Sequence, residues 1–298
     1  MKDIKALTFR PICDSMKYVL NLPSLALLTL LRTLKDRIFD KFPSLNIIFP
    51  KSGQHYAQSI SELDRFPCRK RPYHIFFSAD LGDAYTNCKL EHLKSSYLFL
   101  ASIIEEPGWR QELVIQLATL ILCNNFIEAG CKYYLTGPVL PMGNSCSGEA
   151  LNIIALAGEL VYIINPPLSP YSLALMPSYI SKISKRFDCS SYARYVDDTF
   201  IILNATSVQH IISLIKDICS HIFPPSIPIS LELSTFFSTF LDTCTFPHFA
   251  SRKFSHFMRL NFEAPSKIPN PLSNIPLAFQ HLLAISNSIR ALRICLIN

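Results

Sequence analysis

Ala193–Leu203 reads ARYVDDTFIIL, with two neighbouring carboxylates, Asp197 and Asp198, set between Tyr195-Val196 and Phe200-Ile201-Ile202-Leu203. Apolar β-formers on both sides of an acidic pair predict strand, tight turn, strand, with the acids at the tip. Side chains alternate along a strand, so adjacent aspartates serve one metal only at a turn or a strand end. Like charges this close repel strongly unless a divalent cation offsets them. Oxygen ligands suit Mg²⁺, and the stretch therefore reads either as a hard-cation site or as a solvated Asp-Asp hairpin.

A third carboxylate from another strand would favour the first reading. Pro72–Lys89 reads PYHIFFSADLGDAYTNCK, where Tyr73–Phe77 is an aromatic, apolar run suited to a buried strand and Asp80 follows directly. A two-metal phosphoryl-transfer site needs cations about 3.5–4 Å apart, bridged by carboxylates from different elements. Asp80, Asp197 and Asp198 meet that need if their strands lie side by side.

Taken in order, Asp80, the Pro141-Met142-Gly143-Asn144-Ser145-Cys146-Ser147 segment and the Tyr195-Val196-Asp197-Asp198 box resemble palm motifs A, B and C of reverse transcriptases. The Met-Gly form of the middle motif and the later Phe240-Leu241-Asp242 are most similar to Penelope-like and related retroelement polymerases. The resemblance implies an α+β fold built on a right-hand polymerase palm, an antiparallel sheet with helices on one face. It implies partial, basic fingers over 1–71, the palm with a following hairpin over 72–250, and a short thumb-like helical segment over 251–298. The activity implied is RNA-directed DNA polymerisation, which adds dNTPs to the 3′-hydroxyl of a DNA or RNA primer on an RNA template. Two Mg²⁺ ions, with Mn²⁺ as a substitute, would be bridged by Asp80 and Asp197 and supported less directly by Asp198.

Further positions follow from the same resemblance. Arg10, in Arg10-Pro11-Ile12, matches a fingers arginine that contacts the incoming nucleotide, a role suited to a bidentate, stacking guanidinium. Tyr85, five positions after Asp80, matches an aromatic gate that excludes a 2′-hydroxyl by clash, which argues against an RNA-dependent RNA polymerase. Met142, Gly143 and Ser147, with Asn152, match the loop and helix that pack under the nascent pair; the family often has proline after that serine, and here Gly148 stands instead. Lys216 is the only nearby candidate for a general acid beyond the Asp-Asp hairpin, and its match is poor. The upstream basic fingers motif has no counterpart, so the chain is expected to begin within the fingers. That leaves an alternative: a shortened, catalytically weak reverse-transcriptase-like RNA-binding or maturase-like factor. No H-N-H, GIY-YIG or RNase H constellation is visible, so an endonuclease or RNase H step would come from a separate partner.

Composition sets outer bounds. With 298 residues, 49% apolar and 17% charged, the chain is expected to be globular, as one large or two modest domains. Its net charge of +6 is uneven: Met1 to Arg71 holds 13 Lys/Arg against 6 Asp/Glu, a net +7, and the remainder nets −1. A polyanion would be held mainly by that first quarter, in a salt-sensitive way. Arg69, Lys70 and Arg71 close its densest basic cluster and are candidates for phosphate contact, with a solvated basic surface as the alternative. Ten cysteines without a C-x-x-C pair suggest free thiols in a reducing intracellular compartment, mitochondrion or nucleus undecided. The most apolar stretches, Leu113–Cys123 and Ala150–Ile164, fall short of the roughly 20 residues that span a bilayer, and no membrane partner is expected. Nor is a signal peptide evident.

Periodicity predicts an amphipathic helix over Pro23–Phe39, and a helical Leu90–Phe126 broken at Pro107-Gly108. A helix through Ala150–Ile154 is expected to be capped by Ser145 or Ser147, with Asp83 solvent-facing or a cap. Further helices are expected over Ser178–Phe187, Val208–Ile222 and Leu277–Leu296, with a short strand at Tyr133–Leu135. Ser230–Phe246 reads as one hairpin with Asp242 structural, and the chain from Arg252 as irregular.

Overall fold

The apolar spacing of the first helix carries directly into packing. The structure, a computed structural model, describes residues 19–43, 45, 49, 73–129, 132–135, 137–164, 174–178, 189–205, 207, 209–210, 212–213, 221–234, 238–241, 243–248 and 253–258. Helix α1 (Asn21–Lys41) buries Ser24, Leu27, Leu31, Leu34 and Ile38 as a single stripe at helical spacing. Leu25, which belongs to the same apolar pattern, is exposed. Arg10, Lys216, Asp242 and the Arg69, Lys70, Arg71 cluster lie outside the described residues, as do Leu277–Leu296 and most of Ser178–Phe187 and Val208–Ile222.

The chain folds as two compact units of mixed helix and antiparallel sheet, and neither is continuous in sequence: 1–43, 81–187 and 215–229 form one, 44–80, 188–214 and 230–298 the other. In the first, helix α2 (Ala84–Asn87) leads to α3 (Leu90–Ile103) and α4 (Gly108–Cys123), which are separated at Pro107 as the sequence predicts. An antiparallel hairpin follows, β2 (Phe126–Ala129) with β3 (Lys132–Leu135). Helix α5 (Ser147–Glu159) then runs into a π-helical turn, Leu160–Ile164. Ten consecutive buried residues from Ile153 to Tyr162 make α5 and its π turn the centre of this core. Helix α4 is buried on one side only: Val114, Ala118, Ile121 and Leu122 are buried, but Leu113 and Leu120 are exposed.

Charged side chains lock the helices at their polar edges. Glu106, 5% exposed, accepts from Arg37 at 3.2 Å and from Arg110 at 3.0 Å, while Lys41 donates to the Ile103 carbonyl at 2.7 Å. Glu149 on α5 pairs with Lys35 on α1, and Arg32 stands 3.8 Å from it. A buried carboxylate is tolerable only with such partners.

In the second unit, a four-stranded sheet has the order β4-β5-β1-β6, with β1 at Tyr73–Leu81, β4 at Cys189–Tyr195, β5 at Asp198–Ala205 and β6 at Ile229–Ser234. Both β4 and β1 run antiparallel to β5. A second sheet is an antiparallel meander, β7 (Ser238–Phe240), β8 (Thr243–His248) and β9 (Lys253–Met258). Phe76, Ala193, Phe200, Ile202 and Phe240 form the core of this unit, with Phe76 and Phe200 stacked at 6.2 Å and Phe200 and Phe240 tilted at 5.6 Å.

Two expectations are corrected here. Ser230–Phe246 is not one hairpin, because its first half joins the Asp80-bearing strand β1 and only its second half turns back on itself. The segment after Arg252 is not wholly irregular, since Lys253–Met258 completes the β8 ladder through Thr243↔Met258.

Candidate functional site: an acidic strand end

Strand register decides where the three acids lie. Ala79 pairs with Thr199 and Tyr195 pairs with Asp198, so Asp80, the residue after Ala79, arrives at the start of β5 beside Asp198. Opposed residues of an antiparallel pair share a face, and alternation puts Asp80 and Asp198 on the face that carries Phe76, Phe200 and Ile202. Asp197 occupies the two-residue loop with Val196. Strands β1 and β5 therefore lie side by side.

Electrostatics agree with the register. Burial first, then the charges of Asp197 and Asp80, push the Asp198 carboxyl above its ordinary value. Asp80 and Asp198 are exposed and Asp197 is half-buried, so all three are open to a ligand from solvent. Ser230 on β6 donates its hydroxyl to the Asp80 carbonyl at 3.3 Å and ties the edge strand to this end of β1.

As donors, three hard carboxylates with mutual repulsion suit a divalent cation in kind. In spacing they are not gathered into a ligand set: among the described residues, no group of three His, Cys, Asp or Glu is arranged to hold a metal ion.

Other sequence candidates fall in the helical unit. Tyr85 on α2 is half-buried beside the start of α5, where a Cβ placed on Gly148 would lie 3.8 Å from its hydroxyl. Met142 is half-buried and Gly143, exposed, uses φ 92, a conformation that glycine adopts without strain. Ser147 does not cap α5, contrary to expectation; it is the first helical residue and donates to the Pro141 carbonyl at 2.5 Å. Nor does Ser145, whose buried hydroxyl has no hydrogen-bond partner among the described residues. The local bond is made by Asn144, which accepts from the Cys146 amide at 3.2 Å and donates to Ser24 at 3.1 Å, pinning the loop to α1. Asp83 is exposed with φ 48 and makes no side-chain cap. Cys88 and Cys146 are free and buried, and burial pushes both thiols up to about 12, so they are inert fillers here. Among the described residues no helix is long and apolar enough to cross a membrane.

Arg194 was not singled out by the sequence. It is 1% exposed, and its Nη1 donates to the Val196 carbonyl at 2.7 Å. A lone basic residue on a strand gives no sequence sign of burial.

No protein-family model matches the sequence, and the comparison with curated proteins found no match. Solved structures similar to this chain include apo telomerase from Candida Tropicalis truncated from its C-terminal domain, at 16% identity over 77% of this chain and 44% of that one, TM-score 0.43. Another is telomerase from Candida albicans in complex with the TWJ fragment of telomeric RNA, at 12% identity over 82% and 38%, TM-score 0.49. The BmCPV RNA-dependent RNA polymerase at its quiescent state is similar at 13% identity over 80% and 21%, TM-score 0.45. The chain thus spans less than half the length of each of these three proteins.

Proposed function

We propose that the chain is an RNA-directed DNA polymerase domain that extends a primer on an RNA template with dNTPs. The supporting observation is the register that carries Asp80 to the strand end bearing Asp198, with Asp197 in the adjoining turn. On this reading, Asp80, Asp197 and Asp198 would hold two Mg²⁺ ions, or Mn²⁺ in their place. When bound, such ions supply the positive charge that eases deprotonation of the primer 3′-hydroxyl and offsets the leaving pyrophosphate.

The chain's own residues do the remaining work. Asp80 and Asp198 present oxygens from paired strands, so their separation is set by a ladder rather than by flexible loops. Tyr85 excludes a ribose 2′-hydroxyl by bulk. Met142, Gly143 and Ser147 shape the loop beneath the nascent pair, and the Ser147 and Asn144 bonds hold it. Arg10 contacts the incoming nucleotide, while Arg69, Lys70 and Arg71 contact phosphate.

A second reading, RNA binding without polymerisation as in a maturase-like factor, is favoured by one observation. Among the described residues, the acids are not gathered into a metal-ligand group. Primer extension on a homopolymer RNA template with Mg²⁺ separates the two. Incorporation of dNTPs in preference to NTPs supports the polymerase; salt-dependent RNA binding with no extension by the wild-type chain supports the second reading.

A further inference from the structure

Arginine is almost never fully buried without partners, and Arg194, 1% exposed, is the bulkiest side chain fully enclosed among the described residues. It pairs across the ladder with Thr199, so alternation sets it on the opposite face of the sheet from Asp198 and Phe200. It therefore does not face the substrate side. Its guanidinium carbon lies 4.8 Å from the Phe49 ring centroid, and its Nη1 turns back along the strand to the Val196 carbonyl at 2.7 Å.

Val196 is the residue that needs restraint. Its φ is 57, and of the four described non-glycine residues with positive φ it is the only β-branched one. Such a conformation persists only where the surroundings over-determine it. A charge-assisted bond to the carbonyl of the strained residue is a restraint of that kind. Lysine replaces it only in part, because its ammonium can donate to the carbonyl but only a planar fork can stack on a ring and donate in its own plane at once.

We propose that Arg194 is a positioning residue that clamps the Val196–Asp197 turn from behind the sheet and so fixes where the acid pair is presented. The inference deepens the polymerase reading and rests on it for its functional consequence. The clamp itself is a statement about the turn alone.

The test uses the full chain as wild type, Arg194→Lys and Arg194→Met, with circular dichroism to confirm that each folds. Amide exchange of residues 195–198 is expected to quicken by about tenfold on loss of the bond, with Arg194→Lys intermediate. Mn²⁺ affinity, read by electron paramagnetic resonance, should weaken about tenfold, and kcat for dNTP incorporation should fall while KM for the dNTP holds. A purely structural role for Arg194 would lower thermal stability and leave metal affinity and kcat of the folded fraction alone. Should Arg194→Met fail to fold, Arg194→Lys still decides the matter. Unchanged exchange and Mn²⁺ affinity in folded Arg194→Lys overturns the clamp. A wild-type chain that neither binds Mn²⁺ nor extends a primer overturns the polymerase reading instead, and the exchange comparison still judges the clamp.

Discussion

Two hairpins in the strand-rich unit turn on the same local pattern, an apolar residue at positive φ followed by an aspartate. One is Val196-Asp197 with φ 57 at Val196; the other is Leu241-Asp242 with φ 55 at Leu241. Each costs about 1–2 kcal/mol in backbone strain for its apolar residue. They offset that cost differently. Leu241 is packed against the Phe76, Phe200 and Phe240 core, so ordinary burial holds it. Val196 is held by a buried guanidinium, and the residue after its aspartate is a second acid rather than the buried Thr243. Backbone geometry alone therefore does not mark a site; the support behind the turn and the charge in front of it do.

Exchanging the two aspartates should separate the hairpins most sharply. Asp197→Asn is expected to cut primer extension by about a thousandfold, or ~4 kcal/mol in barrier, while Asp242→Asn leaves it within about twofold. Equal losses in a steady-state extension assay would erase the distinction. Next in size is the core beneath the turns: Phe240→Ala should cost about 3 kcal/mol in urea unfolding, and Tyr195→Ala, 43% exposed, under about 1 kcal/mol.

Glycine at the strained positions gives a smaller and oppositely signed contrast. Val196→Gly should stabilise by about 0.5 kcal/mol, since relief of strain slightly exceeds the added chain entropy. Leu241→Gly should destabilise by about 1 kcal/mol, because packing is lost as well. Matching signs in chemical denaturation would show that one mechanism supports both turns. The smallest effect is electrostatic. A carboxyl whose pKa is raised by folding opposes the fold once pH climbs through the interval between its unfolded and folded values. Without divalent ions, Asp198→Asn should therefore melt higher than wild type at about pH 7 and level with it at about pH 3.

The acid-bearing hairpin was legible because alternation and an acidic pair specify a turn locally, and the Pro107-Gly108 break was legible for a similar reason. Partnership was not. Ser230–Phe246 alternates correctly, yet a period of two says nothing about which strand lies alongside, and Ile229–Ser234 joins the sheet of a strand far back in the chain. Lys253–Met258, reading KFSHFM, has no clean alternation, so its ladder with Thr243–His248 left no trace in the pattern. At α5 the serines looked like the natural caps, but Ser147 is drawn to Pro141 and Asn144 takes the loop, a choice made by the neighbouring helix α1. Arg194 was invisible for the same cause: its enclosure is a property of the sheet and of Phe49, not of its own stretch.

The centre of the helical unit also limits how this sequence can vary. Where α5 passes the Ile222 segment, a methyl group on Gly158 would collide with the Ile222 carbonyl oxygen, a backbone atom that has no rotamer to yield. A methyl group on Gly108 or Gly137 would meet nothing within 4 Å among the described residues. A saturation library would accordingly accept many replacements at those two positions and retain glycine alone at 158, which makes a single missing side chain the narrowest passage open to drift in this helix.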